Sequence, residues 1–120
     1  MSSILFTVPL LPPSVNHYKT PRRGGGWFVS KEAQAFIEAV AMLCPKERLT
    51  ETLYQVRINY RMPGRNLYRT DLDNLLKVSL DALTHAGVIK DDRYVVYIQA
   101  YKFAAERRED EGTQFTITGV

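Results

Sequence analysis

At 120 residues the chain is one domain's worth, enough to bury a single core and too short for two independent ones. With 45% hydrophobic and 24% charged residues it reads as globular rather than disordered, collagen-like or coiled-coil, and no apolar run approaches the about 20 residues of a membrane-spanning helix. The net charge of +3 is mild but uneven: residues 1–31 carry Lys19, Arg22, Arg23 and Lys31 and no acid, and 57–70 carry Arg57, Arg61, Arg65 and Arg69 and no acid.

The opening Met1-Ser2-Ser3-Ile4 lacks the basic and apolar regions of a secretory leader. Cys44 has no internal partner and, in an apolar stretch, reads as a small buried thiol. Both features predict a reducing cytoplasm.

Ile4 to Val8, β-branched and aromatic, predicts a first strand ended by Pro9, Pro12 and Pro13. A long irregular segment follows, through Pro12-Pro13-Ser14-Val15-Asn16-His17-Tyr18 to Gly24-Gly25-Gly26, whose three glycines predict a mobile loop, with Trp27-Phe28-Val29 as a brief pairing segment. Ser30 is an N-cap residue, and Ala33, Phe36, Ile37, Val40 and Leu43 recur at helical spacing until Pro45, which predicts a helix over 31–44. From Leu53 to Met62 the pattern alternates, with Tyr54, Val56, Ile58 and Tyr60 on one face and Gln55, Arg57, Asn59 and Arg61 on the other; this predicts a strand with one cationic face. Leu72, Leu75, Leu76, Leu80 and Leu83 form the stripe of a second helix over 73–86, with Gly87 at its C′ position and Asp73, Lys77 and Asp81 on the opposite side. Tyr94 to Phe103 and Gln114 to Thr118 complete the elements as strands, joined by the charged patch Glu106-Arg107-Arg108-Glu109-Asp110-Glu111. The order β-α-β-α-β-β predicts an α/β fold of α+β type, a two-layer sandwich with a mixed sheet and two helices in a single domain spanning 1–120.

Chemistry concentrates in Arg69-Thr70-Asp71-Leu72-Asp73-Asn74-Leu75-Leu76-Lys77, with Asp81 and the pair Asp91-Asp92 beyond it. Two carboxylates one residue apart, where a loop enters a helix, can present oxygens to one hard cation, and magnesium or manganese wants such donors with water and phosphate. His17 and His85 lack partners at zinc-ligand spacing. The plainer account is that Asp71, Asp73 and Asn74 cap the helix and complement its dipole, that Asp91-Asp92 is a polar turn, and that Lys77 is an i+4 partner of Asp73.

These residues resemble the RusA-type Holliday junction resolvases of bacteria and their prophages. The resemblance covers nearly the whole chain and rests on Pro12-Pro13-Ser14-Val15-Asn16-His17-Tyr18, on Asp71-Leu72-Asp73-Asn74-Leu75-Leu76-Lys77, on Asp81-Ala82-Leu83, and on Ala86-Gly87 with Asp91-Asp92 after it. It implies a homodimeric, magnesium-dependent endodeoxyribonuclease, with manganese as a substitute, that binds four-way DNA junctions and cuts two opposed strands in recombination and repair. Carried over by position, the essential carboxylates and metal ligands fall on Asp71, Asp73 and Asp92, with Asp91 a further candidate ligand, and the catalytic lysine falls on Lys77. The family motif commonly has arginine directly before the first aspartate; here Thr70 stands there and Arg69 one step earlier.

Candidates for DNA backbone contact are Lys19, Arg22, Arg23, Arg61, Arg65 and Arg69, with Tyr18, Trp27 and Tyr68 nearby as stacking residues. No small-molecule cofactor and no membrane partner are expected. Length adds one expectation. A helix over 73–86 is about 20 Å long and Asp92 follows six residues after its end, so Asp92 rejoins Asp73 within one chain only by running straight back along the helix. An antiparallel dimer brings one copy's Asp92 to the other's Asp73 more easily, which predicts composite sites. Two alternatives stay open at this point: a metal-dependent nuclease acting on flaps or forks, and a non-catalytic DNA-binding module.

Overall fold

The computed structural model describes residues 2–14, 19–21 and 27–120, with 19–21 and 27–28 as backbone only. Six strands and two helices follow in chain order: β1 (Ser3–Val8), β2 (Lys19–Pro21), β3 (Trp27–Val29), α1 (Lys31–Leu43), β4 (Tyr54–Met62), α2 (Leu72–His85), β5 (Val95–Ala104) and β6 (Gly112–Gly119). Four strands form one mixed sheet in the order β1-β6-β4-β5, while β2 and β3 make a separate antiparallel pair. The predicted α+β architecture of a four-stranded mixed sheet with two helices is therefore present. The brief segment at Trp27 has found its partner in Lys19–Pro21. The predicted loop through Gly24-Gly25-Gly26, with Tyr18, Arg22 and Arg23, lies outside the described residues.

The alternation in β4 decides which face of the sheet is covered. Tyr54, Val56, Ile58, Tyr60 and Met62 are all buried on one face, while Gln55, Arg57 and Arg61 are exposed on the other. β6 contributes Phe115 and Ile117 and β1 contributes Ile4, Phe6 and Val8 to the same buried face, with Phe6 stacked on Phe115 at 5.0 Å between ring centroids. The two helices pack on each other over this face, inserting Phe36 and Val40 from α1 and Leu75, Val78, Ala82 and Leu83 from α2.

Local chemistry sets the helix ends. Ser30 Oγ accepts the Ala33 N–H at 3.2 Å, as its N-cap role predicts. At the far end of α2, Gly87 takes φ +77°, the Gly87 N–H donates to Thr84 O at 3.0 Å and the Val88 N–H donates to Leu83 O at 3.0 Å. With Leu83 and Val88 both buried, this is a complete Schellman ending, and its left-handed φ favours glycine at position 87.

Three expectations are corrected. α2 starts at Leu72 rather than 73, because Asp71 occupies the extended N-cap position. Cys44 is half-buried at the α1 C-cap, its thiol donating to Ala41 O at 3.5 Å, rather than sealed in the core. Tyr94 closes a 3-10 turn ahead of β5, and β5 itself is an edge strand with Val96, Tyr97, Ile98, Tyr101 and Phe103 exposed. Among the described residues no helix is long and apolar enough to cross a membrane.

Candidate active site

The path from β4 into α2 is short and heavily tied down. Pro63 and Gly64 turn the chain out of the sheet, and backbone bonds from Asn66 N to Pro63 O (2.8 Å), Leu67 N to Gly64 O (3.2 Å) and Arg69 N to Asn66 O (3.1 Å) coil it through residue 69. Asp71 then takes φ −88° and ψ 134°, and its carbonyl accepts the Asn74 N–H at 3.2 Å to start the helix. Its carboxylate makes no capping hydrogen bond. An aspartate at an N-cap normally spends its side chain on the N2 or N3 amide; this one does not. Asp73 is exposed in the first turn of α2.

An open cleft of about 430 Å³ adjoins this segment, lined among others by Ser14, Asn66, Arg69, Thr70, Asp71 and Asn74. The cleft thus draws the Pro12-Pro13-Ser14 motif to the aspartate motif although they lie far apart in sequence. It also places Arg69 beside Asp71. A cation and a carboxylate that line one cleft suit an anionic ligand with a metal held beside it. The two aspartates offer hard oxygen donors, one uncommitted to the backbone, and this donor set fits magnesium or manganese rather than zinc.

Mid-helix, Tyr60 Oη and Ser79 Oγ share a hydrogen bond of 2.7 Å inside the core, and Ser79 Oγ also donates to Leu75 O at 2.9 Å. Burial pushes the Tyr60 phenol well above its ordinary range, against the opposing pull of Ser79. The pair pins α2 to β4. Lys77, on the outer face, pairs with Asp81 at 3.5 Å rather than with Asp73. The lysine side chain is 57% exposed, so the contact is a surface ion pair worth about 0–1 kcal/mol and readily exchanged.

Asp91 and Asp92 lie at the other end of the helix. Asp91 caps a 3-10 turn, its Oδ1 accepting the Arg93 N–H at 3.0 Å. That backbone donor, with a contribution from Asp92, holds the Asp91 carboxyl below its ordinary range. Of the two neighbours, Asp91 serves the local turn, and Asp92 is exposed. The register shows how far this lies from Asp71. Val95 pairs with Tyr54 at the start of β4, whereas Lys102, which touches the carbonyl of Thr70, pairs with Tyr60 near its end. Seven residues of strand separate the two positions (102 − 95), about 23 Å at about 3.3 Å per residue. Accordingly, among the described residues no three acidic, histidine or cysteine side chains gather into a metal-sized group. One chain sets Asp71 at the N-cap and Asp73 in the first turn of α2, with Asp71 lining the cleft, and leaves Asp92 beyond the other end of the helix.

The basic candidates divide in the same way. Arg69 lines the Asp71 cleft, and Arg65 sits at the same end of β4 in the turn that follows it. Tyr68, between them, is 93% exposed. Arg61 points from the opposite face of the sheet into a hollow shared with Glu109, Asp110 and Glu111, and does not join the site. Lys19 lies in β2 with its side chain outside the description, as does that of Trp27, and Arg22 and Arg23 are outside the described residues.

One residue of this neighbourhood escaped the sequence reading. The Lys102 ammonium donates to Leu67 O at 2.6 Å and Thr70 O at 2.8 Å, clamping the turn that delivers Asp71. A signal was available: Lys102 shares the helix-facing side of β5 with Ile98, Ala100 and Ala104, a lone charge in an otherwise apolar row.

The family described as Endodeoxyribonuclease RusA matches residues 9–111. A protein of Escherichia coli strain K12 named crossover junction endodeoxyribonuclease RusA is 40% identical over 105 residues, covering 85% of this chain and 84% of its own length. The protein of the same name from Enterobacteria phage 82 matches equally, at 40% over 105 residues. That of Shigella sonnei strain Ss046 is 38% identical over the same length. The matched span contains both aspartate pairs, Lys77 and the cleft, and the chain belongs to the RusA family.

Proposed function

We propose that this protein is a structure-selective endodeoxyribonuclease that resolves four-way (Holliday) DNA junctions by paired, magnesium-dependent phosphodiester hydrolysis, in the cytoplasm, during recombination and repair. The observation that carries the reading is the Asp71 carboxylate, unspent at the mouth of α2 beside Asp73 and Arg69, in a chain whose relatives are named for cutting crossover junctions.

A phosphodiester is already an anion, and attack by water builds more charge on it, so the site needs cations and an activated water. Asp71 and Asp73 would hold the metal, with manganese a working substitute. When bound, a divalent cation supplies a lowered pKa for water and charge neutralisation at the phosphoryl oxygen. Lys77, one turn beyond Asp73, exchanges its weak contact with Asp81 for the scissile phosphate as a mobile point charge. Arg69, Arg65 and Tyr68 hold the strand beside the cleft through phosphate contact and stacking.

Asp92 enters through a second copy. Within one chain Asp92 precedes the Val95 end of β5, while the Asp71 loop is held at Lys102, about 23 Å further along that strand, and a two-fold partner with antiparallel helices would remove that distance. The same strand that follows Asp92 is the open edge of the sheet and exposes Val96, Ile98, Tyr101 and Phe103. A long apolar edge of this kind calls for cover. A homodimer covering β5 would complete two sites related by a two-fold axis, matching the approximate symmetry of a four-way junction.

The test is a cleavage assay on a four-way junction, a linear duplex and a flap, each with magnesium and with chelator, for the protein and for Asp73→Asn. Magnesium-dependent paired cuts in the junction, lost in Asp73→Asn while junction binding persists, are expected. Preferred cutting of the flap would reassign the substrate, and binding without any metal-dependent cutting would leave a non-catalytic module.

A further inference from the structure

We infer that Lys102 is a positioning residue that sets the separation and aim of Asp71 and Asp73, by gripping the Leu67 and Thr70 carbonyls of the turn that leads into them. The inference rests on the proposed role of that aspartate pair.

The turn through residues 67–70 has to present an N-cap residue whose side chain faces outward. Its own backbone bonds coil it as far as Arg69, but the Leu67 and Thr70 carbonyls are not the acceptors in those bonds, and both accept from Lys102 Nζ. The grip comes from outside the loop. Lys102 is held in β5 opposite Tyr60 of β4, and Tyr60 in turn is bonded to Ser79 in α2. The loop is therefore fixed at both ends to one frame: to β5 by the ammonium just before Asp71, and to β4 by the Tyr60–Ser79 pair two turns beyond it.

An ammonium suits this task because it has three donors and no acceptor, so one nitrogen can hold two carbonyls at once. Thr70 O belongs to the peptide bond that links Thr70 to Asp71. Fixing that carbonyl fixes the plane from which the Asp71 side chain departs. Two ligand oxygens must lie within a fraction of an ångström of their places to share one cation, so loss of the grip is felt first as weaker metal binding.

The experiment compares the protein with Lys102→Met, which keeps the stem and removes the donors, with Lys102→Arg, and with Asp73→Asn as the control. Manganese binding is titrated without DNA by electron paramagnetic resonance, and amide hydrogen exchange is followed along the chain. Lys102→Met is expected to bind manganese at least tenfold more weakly and to lose exchange protection at residues 67–74, with β4 and β6 still protected. Lys102→Arg recovers most of the affinity. Unchanged manganese affinity in Lys102→Met overturns the inference, as does loss of protection spread evenly through the sheet, which assigns Lys102 to general stability. If Asp73→Asn binds manganese as well as the unaltered protein does, the aspartate-pair reading itself falls and takes this inference with it.

Discussion

The two ends of α2 carry similar aspartates and use them differently. At the C-terminal end, Asp91 accepts the Arg93 amide and closes a turn, the ordinary work of an aspartate beside a helical segment. At the N-terminal end, Asp71 occupies the N-cap position yet leaves the capping amides alone, and a lysine from another strand holds the loop in its place. Identical side chains thus divide into one that shapes the backbone and one that the backbone is shaped to present. Sequence composition cannot separate them; hydrogen-bond bookkeeping can.

The largest effect that tests this contrast comes from mixing subunits. On the proposed composite-site dimer, Asp71→Asn and Asp92→Asn proteins should each lose roughly a thousandfold in junction cutting, the loss expected if each supplies a metal ligand worth several kcal/mol of transition-state stabilisation. Mixed dimers of the two variants should recover one intact site and nick a single strand at a rate approaching half the normal one. Inactive mixed dimers would mean that each site draws all its ligands from one chain.

Next in size is the C-terminal end of α2. Gly87→Ala places a Cβ at φ +77° and should cost about 1–2 kcal/mol in denaturant unfolding, whereas Gly87→Asn should cost less. A smaller effect separates two N-caps. Ser30→Ala removes a formed bond to the Ala33 amide and should cost about 1 kcal/mol. Asp71→Ala removes no such bond and should change stability by less than about 0.5 kcal/mol. If Asp71→Ala proves as costly as Ser30→Ala, the aspartate is a cap after all.

The smallest effect is a pH dependence. The Asp91 carboxyl is held low in the folded state by the Arg93 amide, so its contribution is present above the unfolded value of about 3.9 and is lost as pH falls through the folded one. Acid unfolding curves should therefore show a stability loss below about pH 4 that is shallower in Asp91→Asn. Equal slopes in both proteins would remove the proposed cap at that turn.

Much of the fold was legible because burial imposes periods. The strict alternation from Tyr54 to Met62 and the leucine spacing of α2 each fix an element and its inward face without reference to the rest of the chain. Strand order was not legible in this way. Nothing local to Gln114 or Tyr97 tells that β6 inserts between β1 and β4, or that β5 lies parallel on the other side, since pairing choices depend on residues far away. The β2–β3 pair escaped in part for a similar reason: Lys19-Thr20-Pro21 has no strand-like composition. At the site, the motif named Asp71, Asp73 and Lys77, while the partner of Lys77, the different fates of Asp91 and Asp92, and the clamp from Lys102 needed the three-dimensional register.

The seating of β6 has a further effect on how the enzyme comes into being. Among the described residues β1 pairs only with β6, linking Ser3 to Thr118, and β6 also lies along one whole side of β4. During synthesis the first strand must therefore wait for the last one, and the sheet that carries the Asp71 loop closes only after about a hundred intervening residues have been made. A nascent chain stalled before Gly112 lacks the middle of its sheet, so the frame that holds the Asp71 loop is incomplete until β6 has been made.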